Sequence, residues 1–306
     1  MSEFATFDSF ERYSRALIAS KDVDPTYPVV RWIIDFYGFN GPWFIFCYGA
    51  FYSLDSAIRM CRAFPTPESF DEEAFRHIRE HKTINKFGHE RRGSCRNPNN
   101  QVGLFRDAIS FINRLDQYKD INNTQFRTEL KKLSFQGEWA SYKIAELFEK
   151  SLGYTSLTIP DLGLEGKDPN RNDGPVGGLR WLYGREHKYS TEIYPTWNRF
   201  GEELAKGWGV GMGEVETCLC KWHKMCSGKY WIGHDIAEFV ELEQVIGEGD
   251  YKQMMTELFN PVMWHGIYEF PKHLKSAFAK QGHMENEIFS RKYPEIDVYE
   301  ILMKTT

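Results

Sequence analysis

No run of alternating valine, isoleucine and threonine in this chain is long enough to make a strand. Sheets are built from such period-two segments, so the apolar residues here must be buried by helices. Helix signals are plentiful. Residues 9–20 carry apolar side chains at helical spacing, and Asp24-Pro25 marks the start of a second helix running to about Gly38. Gly41-Pro42 opens one long, very apolar helix that Pro65 and Pro67 stop. Residues 69–81 put acids at the N-terminal end of a helix and bases at its C-terminal end, the order its dipole favours. Residues 101–115 and 123–133 are amphipathic, whereas Gly, Asn and Pro break residues 86–100 into a loop. There is no internal repeat, low-complexity tract or linker. The expected architecture is all-α, with a helical domain over residues 1–245 and a helical extension, residues 246–306, packed on it.

Composition narrows the class of function. The chain has 306 residues, of which 42% are hydrophobic and 26% charged, ordinary values for a soluble globular protein. Its 16% of aromatic residues is high and favours stacking surfaces as well as cores. The longest apolar run, residues 43–51, is about half of what a bilayer span needs. The first residues lack the apolar core of a signal peptide, and the six cysteines lack paired spacing. Reduced thiols, a cytoplasmic location and no membrane partner are therefore expected. A net charge of -5 does not mark a nucleic-acid binder, but charge is unevenly placed. Residues 76–96 hold seven Lys or Arg against Glu80 and Glu90, with His77, His81 and His89 among them. Such a stretch is either a local phosphate-binding patch or a solvated helix face.

Residues 214–238 concentrate chemistry: carboxylates, three cysteines, two histidines, three lysines and two tryptophans around a Gly-Lys-Tyr turn. An ordinary core helix has no use for that mixture, because charged and imidazole groups resist burial unless paired. Helical spacing puts Val215, Leu219, Trp222 and Cys226 on a core stripe. Glu214, Cys218 and Lys221 then lie on one flank, and Glu216, Cys220 and His223 on the other. A carboxylate and an imidazole so placed can share a proton, as can His234 with Asp235. By residue type Cys218, Cys220, His223 and Cys226 form a zinc set. Their spacing matches no usual zinc motif, so no metal is expected.

Two turns add possible phosphate contacts. A helix over residues 123–134, a tight turn at 135–139 holding Gly137, and a second helix over 140–152 resemble a helix-hairpin-helix unit. The backbone amides of such a turn can meet a DNA phosphate. Asp161 follows by one helix and a loop, where the DNA glycosylase superfamily carries an aspartate. Further on, Gly174-Pro175 and Gly177-Gly178 precede Arg180, Trp181 and Arg185. A glycine-rich loop of this kind holds a phosphate or simply turns the chain. It lacks the spacing of a nucleotide-binding P-loop.

Taken in order, YGAFYSL, HERRGSCR, FQGEWASYKIAEL, GPVGGLRWLYG and EVETCLCKW followed by GKYWIGHDI resemble the phage-type proteins of thymine hypermodification. These are the amino acid:DNA transferases, the α-glutamyl/putrescinyl thymine pyrophosphorylases and the helical part of hydroxymethyluracil DNA kinases. The separate P-loop domain of the kinases is missing here. The resemblance covers residues 27–243 and implies a helix-hairpin-helix, glycosylase-like fold acting on double-stranded DNA. The implied substrate is pyrophosphorylated 5-hydroxymethyluracil, whose pyrophosphate an amino acid or polyamine replaces, with no cofactor. Under that reading Arg91, Arg92, Arg96, Arg180 and Arg185, with Gly137, bind pyrophosphate and DNA. Glu216, His234, Asp235 and Asp161 are the candidate catalytic groups. Glu214, Lys221, His223, Lys229, Tyr230 and Trp231 line the base or amine pocket. A glycosylase or lyase acting on a modified base, and a non-catalytic DNA-binding domain, are the competing readings.

Overall fold

In the computed structural model, residues 7–80, 98–227, 230 and 234–259 are described. They form helices α1 to α14 with short 3-10 turns and, among the described residues, no strand. They divide into two compact units. The described residues of Met1–Thr26, Ile159–Val240 and Lys252–Thr306 make one unit, and Tyr27–Thr158 with Glu241–Tyr251 make the other.

The second unit is arranged around α3 (Gly41–Phe51). That helix is apolar on every side and buried along almost its whole length, the pattern of a central helix. Asn40 starts it by accepting a hydrogen bond from the Trp43 amide, 3.0 Å, with Pro42 in the first turn. α4 (Leu54–Ala63), α6 (Pro98–Ile112) and α8 (Glu138–Leu152) pack against it. Trp43, Phe51, Phe70, Phe75 and Phe105 meet there ring against ring. α2 (Thr26–Tyr37) and α13 (Glu243–Ile246) are tied in by polar contacts: Tyr37 donates to Asp250 at 2.8 Å, and Arg62 to the Val245 carbonyl at 2.8 Å.

Local chemistry moved several boundaries from their expected places. The single long helix after Gly41 is two, because Tyr52 takes a left-handed backbone (φ 49°) and Ser53 caps α4 through the Ser56 amide. α5 (Glu72–Glu80) starts three residues later than expected, after a 3-10 turn at Pro67–Ser69. α6 begins at Pro98, inside the stretch read as loop, and α7 (Asn123–Leu130) ends early in a series of turns.

In the first unit, α11 (Met212–Cys226) is the organising element. α1 (Phe7–Ala19) lays Phe10 and Tyr13 on the Trp222 ring, each at 5.6 Å. α10 (Tyr194–Trp208) packs on another side. The closest approach is with α9 (Gly174–Tyr183), where the backbones nearly touch. A Cβ on Gly178 would lie 2.2 Å from the Leu219 carbonyl oxygen, and one on Gly177 2.7 Å from the His223 ring. The paired glycines thus serve a helix crossing and not a phosphate loop. Gly178→Ala should destabilise the protein by about 1–3 kcal/mol, because a helix backbone must move. Denaturant melting checks this, and an unchanged midpoint would mean that the crossing is loose.

Candidate functional site

The loop from α1 to α2 and the two ends of the 214–238 segment build a buried charged cluster in the first unit. Lys221, only 4% exposed, projects from α11 and forms an ion pair with Asp235 at 2.9 Å. It also donates to the main-chain carbonyl of Asp22 and sits 3.8 Å from the Asp22 carboxylate. Tyr230 donates its hydroxyl to Asp22 at 2.7 Å, and the Lys221 ammonium lies 4.8 Å from the centre of its ring. Burial alone would drive the proton off Lys221. Asp22, Asp235 and Asp24 outweigh it and hold the ammonium above its ordinary range. Asp22 and Asp235 act also on Tyr230 and Tyr13, whose hydroxyls burial already pushes well above the usual tyrosine range.

Two carboxylates, Asp235 and Asp22, thus flank one buried ammonium, and Asp24 adds to their pull on its proton. The Asp235 side chain keeps 26% exposure and Asp24 is likewise half-buried, whereas the Asp22 side chain keeps none. Of the residues named from the sequence, Lys221, Tyr230 and Asp235 are brought together here. Asp22, Asp24 and Tyr13 were not singled out, since only the fold carries them to α11. Lys221 itself is held by acids of the protein and is not placed to grip a substrate carboxylate.

The remaining candidates are dispersed. Glu216 accepts a hydrogen bond from the Cys220 thiol at 3.1 Å, one helical turn along α11. Burial, with Glu216 beside it, pushes that thiol well above its usual range. Burial likewise pushes the Cys218 and Cys226 thiols up to about 12, so neither is a ready thiolate nucleophile. Glu214 is half-buried near Cys218, and the His223 ring packs at the α9 crossing. Asp161 accepts from the Gly163 amide at 2.6 Å, closing a local turn. Arg180 does not project outward. It is buried and donates to the carbonyls of Asn170 and Arg185 and, at 3.0 Å, to the Asn172 side chain. Arg185 is exposed and lies over the Trp181 ring at 4.4 Å. His234 is described only as the first backbone position of α12 (His234–Ala237). Arg91, Arg92, Arg96, Lys229 and Trp231 lie outside the described residues.

The turn before α8 also differs from its expected geometry. Gly137 has φ −77° and ψ −177°, extended backbone open to any residue, and no atom lies within 4 Å of where its Cβ would be. The left-handed residue is Phe135, φ 62°. Glu138 occupies the first turn of α8, paired with Arg127 at 3.0 Å and with Lys131. Among the described residues no group of three or more His, Cys, Asp or Glu is placed to hold a metal ion. No described helix is long and apolar enough to cross a membrane.

Against known proteins, the family model of the amino acid:DNA transferases matches residues 18–230. The chain belongs to the amino acid:DNA transferase family. It is accordingly an enzyme, a transferase of DNA modification. Neither the curated proteins nor the solved structures contain a match to it. The family's matched stretch starts four residues before Asp22 and ends on Tyr230. The Tyr230–Asp22 hydrogen bond therefore joins its two ends.

Proposed function

We propose that this transferase moves an amino acid, or a related amine, onto the 5-methylene of pyrophosphorylated 5-hydroxymethyluracil in double-stranded DNA. The match to the amino acid:DNA transferase family over residues 18–230 carries this reading. In the reaction the methylene carbon–oxygen bond breaks and pyrophosphate leaves with its electron pair. The amine nitrogen bonds to the carbon and gives up a proton. The protein has two tasks, to neutralise the leaving group and to bring in an amine that can lose its proton.

The buried acidic cluster suits the second task. Asp235 presents a part-exposed carboxylate at the edge of this cluster, a group that can attract an ammonium and then accept its proton. Lys221 and Tyr230 hold the acids in place from behind. Glu214, Glu216, His223, Lys229, Trp231 and His234 are the neighbours in sequence from which the rest of that pocket would be drawn. For the first task Arg91, Arg92 and Arg96 are the favoured cations, with exposed Arg185 as a further one; Arg180 we assign instead to loop building. Asp161 as a catalytic acid, a helix-hairpin-helix fold of the glycosylase type, and residues 246–306 as an extension of a 1–245 domain belong to the same reading. Amine-dependent release of pyrophosphate from such DNA tests it, and release that ignores the amine would sink it.

The turn at Gly137 is the place for a phosphate contact under this reading, since the space there is empty. Gly137→Val should cost no more than about 1 kcal/mol, the loss of a modest helix cap. It should nevertheless weaken DNA binding and flatten the salt dependence. Titrations at two or more salt concentrations check this, and an unchanged slope would leave the turn a purely structural one.

A further inference from the structure

A cleft of about 530 Å³ opens in the second unit, beside the turn that joins α7 to α8. That lies within the roughly 300–1,000 Å³ of small-molecule sites. Phe51, Tyr52, Phe135, Gln136 and Trp139 form much of its wall, with Lys131 at its rim. Among the described residues three that are not glycine adopt a left-handed backbone, Lys21, Tyr52 and Phe135, and two of them line this cleft. Such backbone persists where surrounding structure enforces it, and it gathers at ligand clamps.

The polar group in the wall points the same way. Gln136 is 6% exposed, and its side-chain carbonyl oxygen has no hydrogen-bond partner. A buried acceptor left unsatisfied is unfavourable, and a ligand N–H would relieve it. Around it the surface is aromatic. Trp139 meets Tyr52 edge-on, centroids 5.2 Å apart and planes at 67°, and Phe135 stands 42% exposed. Two cations, Lys131 and Arg127, face the single carboxylate of Glu138 nearby, leaving positive charge where a sugar-phosphate chain would run.

We propose that this cleft receives a uracil-type base swung out of the DNA duplex. The base stacks against Trp139 and Tyr52, and its ring N3–H donates to the Gln136 carbonyl oxygen. Phe135 fills the gap that the base leaves, as apolar wedges do in kinked or opened duplexes. A flat heterocycle with an N–H on its edge satisfies every feature of the wall. The inference rests on the reading that the chain acts on a modified uracil in DNA.

Photo-cross-linking tests it on the full chain. A duplex with one central 5-iodouracil is bound and irradiated, and the linked peptide is mapped by mass spectrometry. The cross-link should fall on Tyr52 or within residues 131–140. Gln136→Leu should keep its thermal midpoint and lose about tenfold in cross-link yield, the size expected for one lost hydrogen bond at a desolvated site. Cross-links confined to other peptides, or an unchanged yield in Gln136→Leu, would overturn the proposal. Transfer activity of the same preparation separates the two claims. Transfer with cross-links elsewhere removes the cleft and keeps the reaction, whereas cross-links in the cleft without transfer do the reverse.

Discussion

Replacing Lys221 with methionine should lower the unfolding free energy by about 3–5 kcal/mol at neutral pH, the range for breaking a buried ion pair from one side. Methionine fills much of the same volume, so the loss is electrostatic. Asp22 and Asp235 lose the ammonium that both approach, and Asp22 has no exposed surface through which water can replace it. Denaturant unfolding measures the change. Lowering the pH toward the carboxylate range should narrow the gap between variant and parent, because protonation neutralises the stranded acids. In the parent protein the sign is opposite and sits at high pH. Lys221, Tyr13 and Tyr230 all have folded values raised above their ordinary ones. The stability they confer is complete below about pH 10, near the unfolded values of lysine and tyrosine, and is lost as pH rises through the folded values. A Lys221→Met protein as stable as its parent at pH 7 would show that the cluster is not held by charge.

Asp235→Asn should lower the maximal rate of transfer by about 100-fold or more, the scale of removing a general base. The amide keeps the shape of the side chain and can still contact Lys221, and Asp22 remains to balance the lysine. The folded fraction at room temperature should therefore hold. DNA affinity should stay within about twofold, since no phosphate contact is assigned to this residue. The loss should shrink as the pH is raised, because a larger share of the free amine is then already deprotonated. Steady-state rates across pH, with DNA binding measured in parallel, give the answer. Full activity would return Asp235 to a structural role, and a loss confined to DNA binding would move the amine pocket elsewhere.

The helices were legible because their signals are local. Gly41 and Pro42 announce α3, and the unbroken apolar pattern that follows marks it as central. The break at Tyr52 was not legible, since nothing in YGAFYSL requires a left-handed tyrosine; there it caps the end of α3, its amide donating to the Tyr48 carbonyl. The density of chemistry at residues 214–238 directed attention to Lys221, Tyr230 and Asp235. The partner that Lys221 and Tyr230 share, Asp22, is 199 residues from Lys221, a distance that spacing arguments do not cross. Arg180 looked like a free cation after a glycine turn. Only the folded loop shows that Asn170, Asn172 and Arg185 take up its donors. Gly177 and Gly178 read as a phosphate loop or a simple turn of the chain, and the close crossing shows only when α11 is laid beside them. Residue type told the chemistry, and position told only the part of it that lies within a helical turn.

The central claim, amine transfer onto DNA, is tested most directly by the nucleosides themselves. DNA carrying pyrophosphorylated 5-hydroxymethyluracil would be incubated with the protein and a mixed pool of amino acids, then digested and analysed by mass spectrometry. The account predicts a new nucleoside whose mass equals thymidine plus an amino acid less two hydrogens, with the pyrophosphorylated nucleoside consumed in step. Abasic sites in place of that nucleoside, or DNA that is bound and returned unchanged, would contradict it.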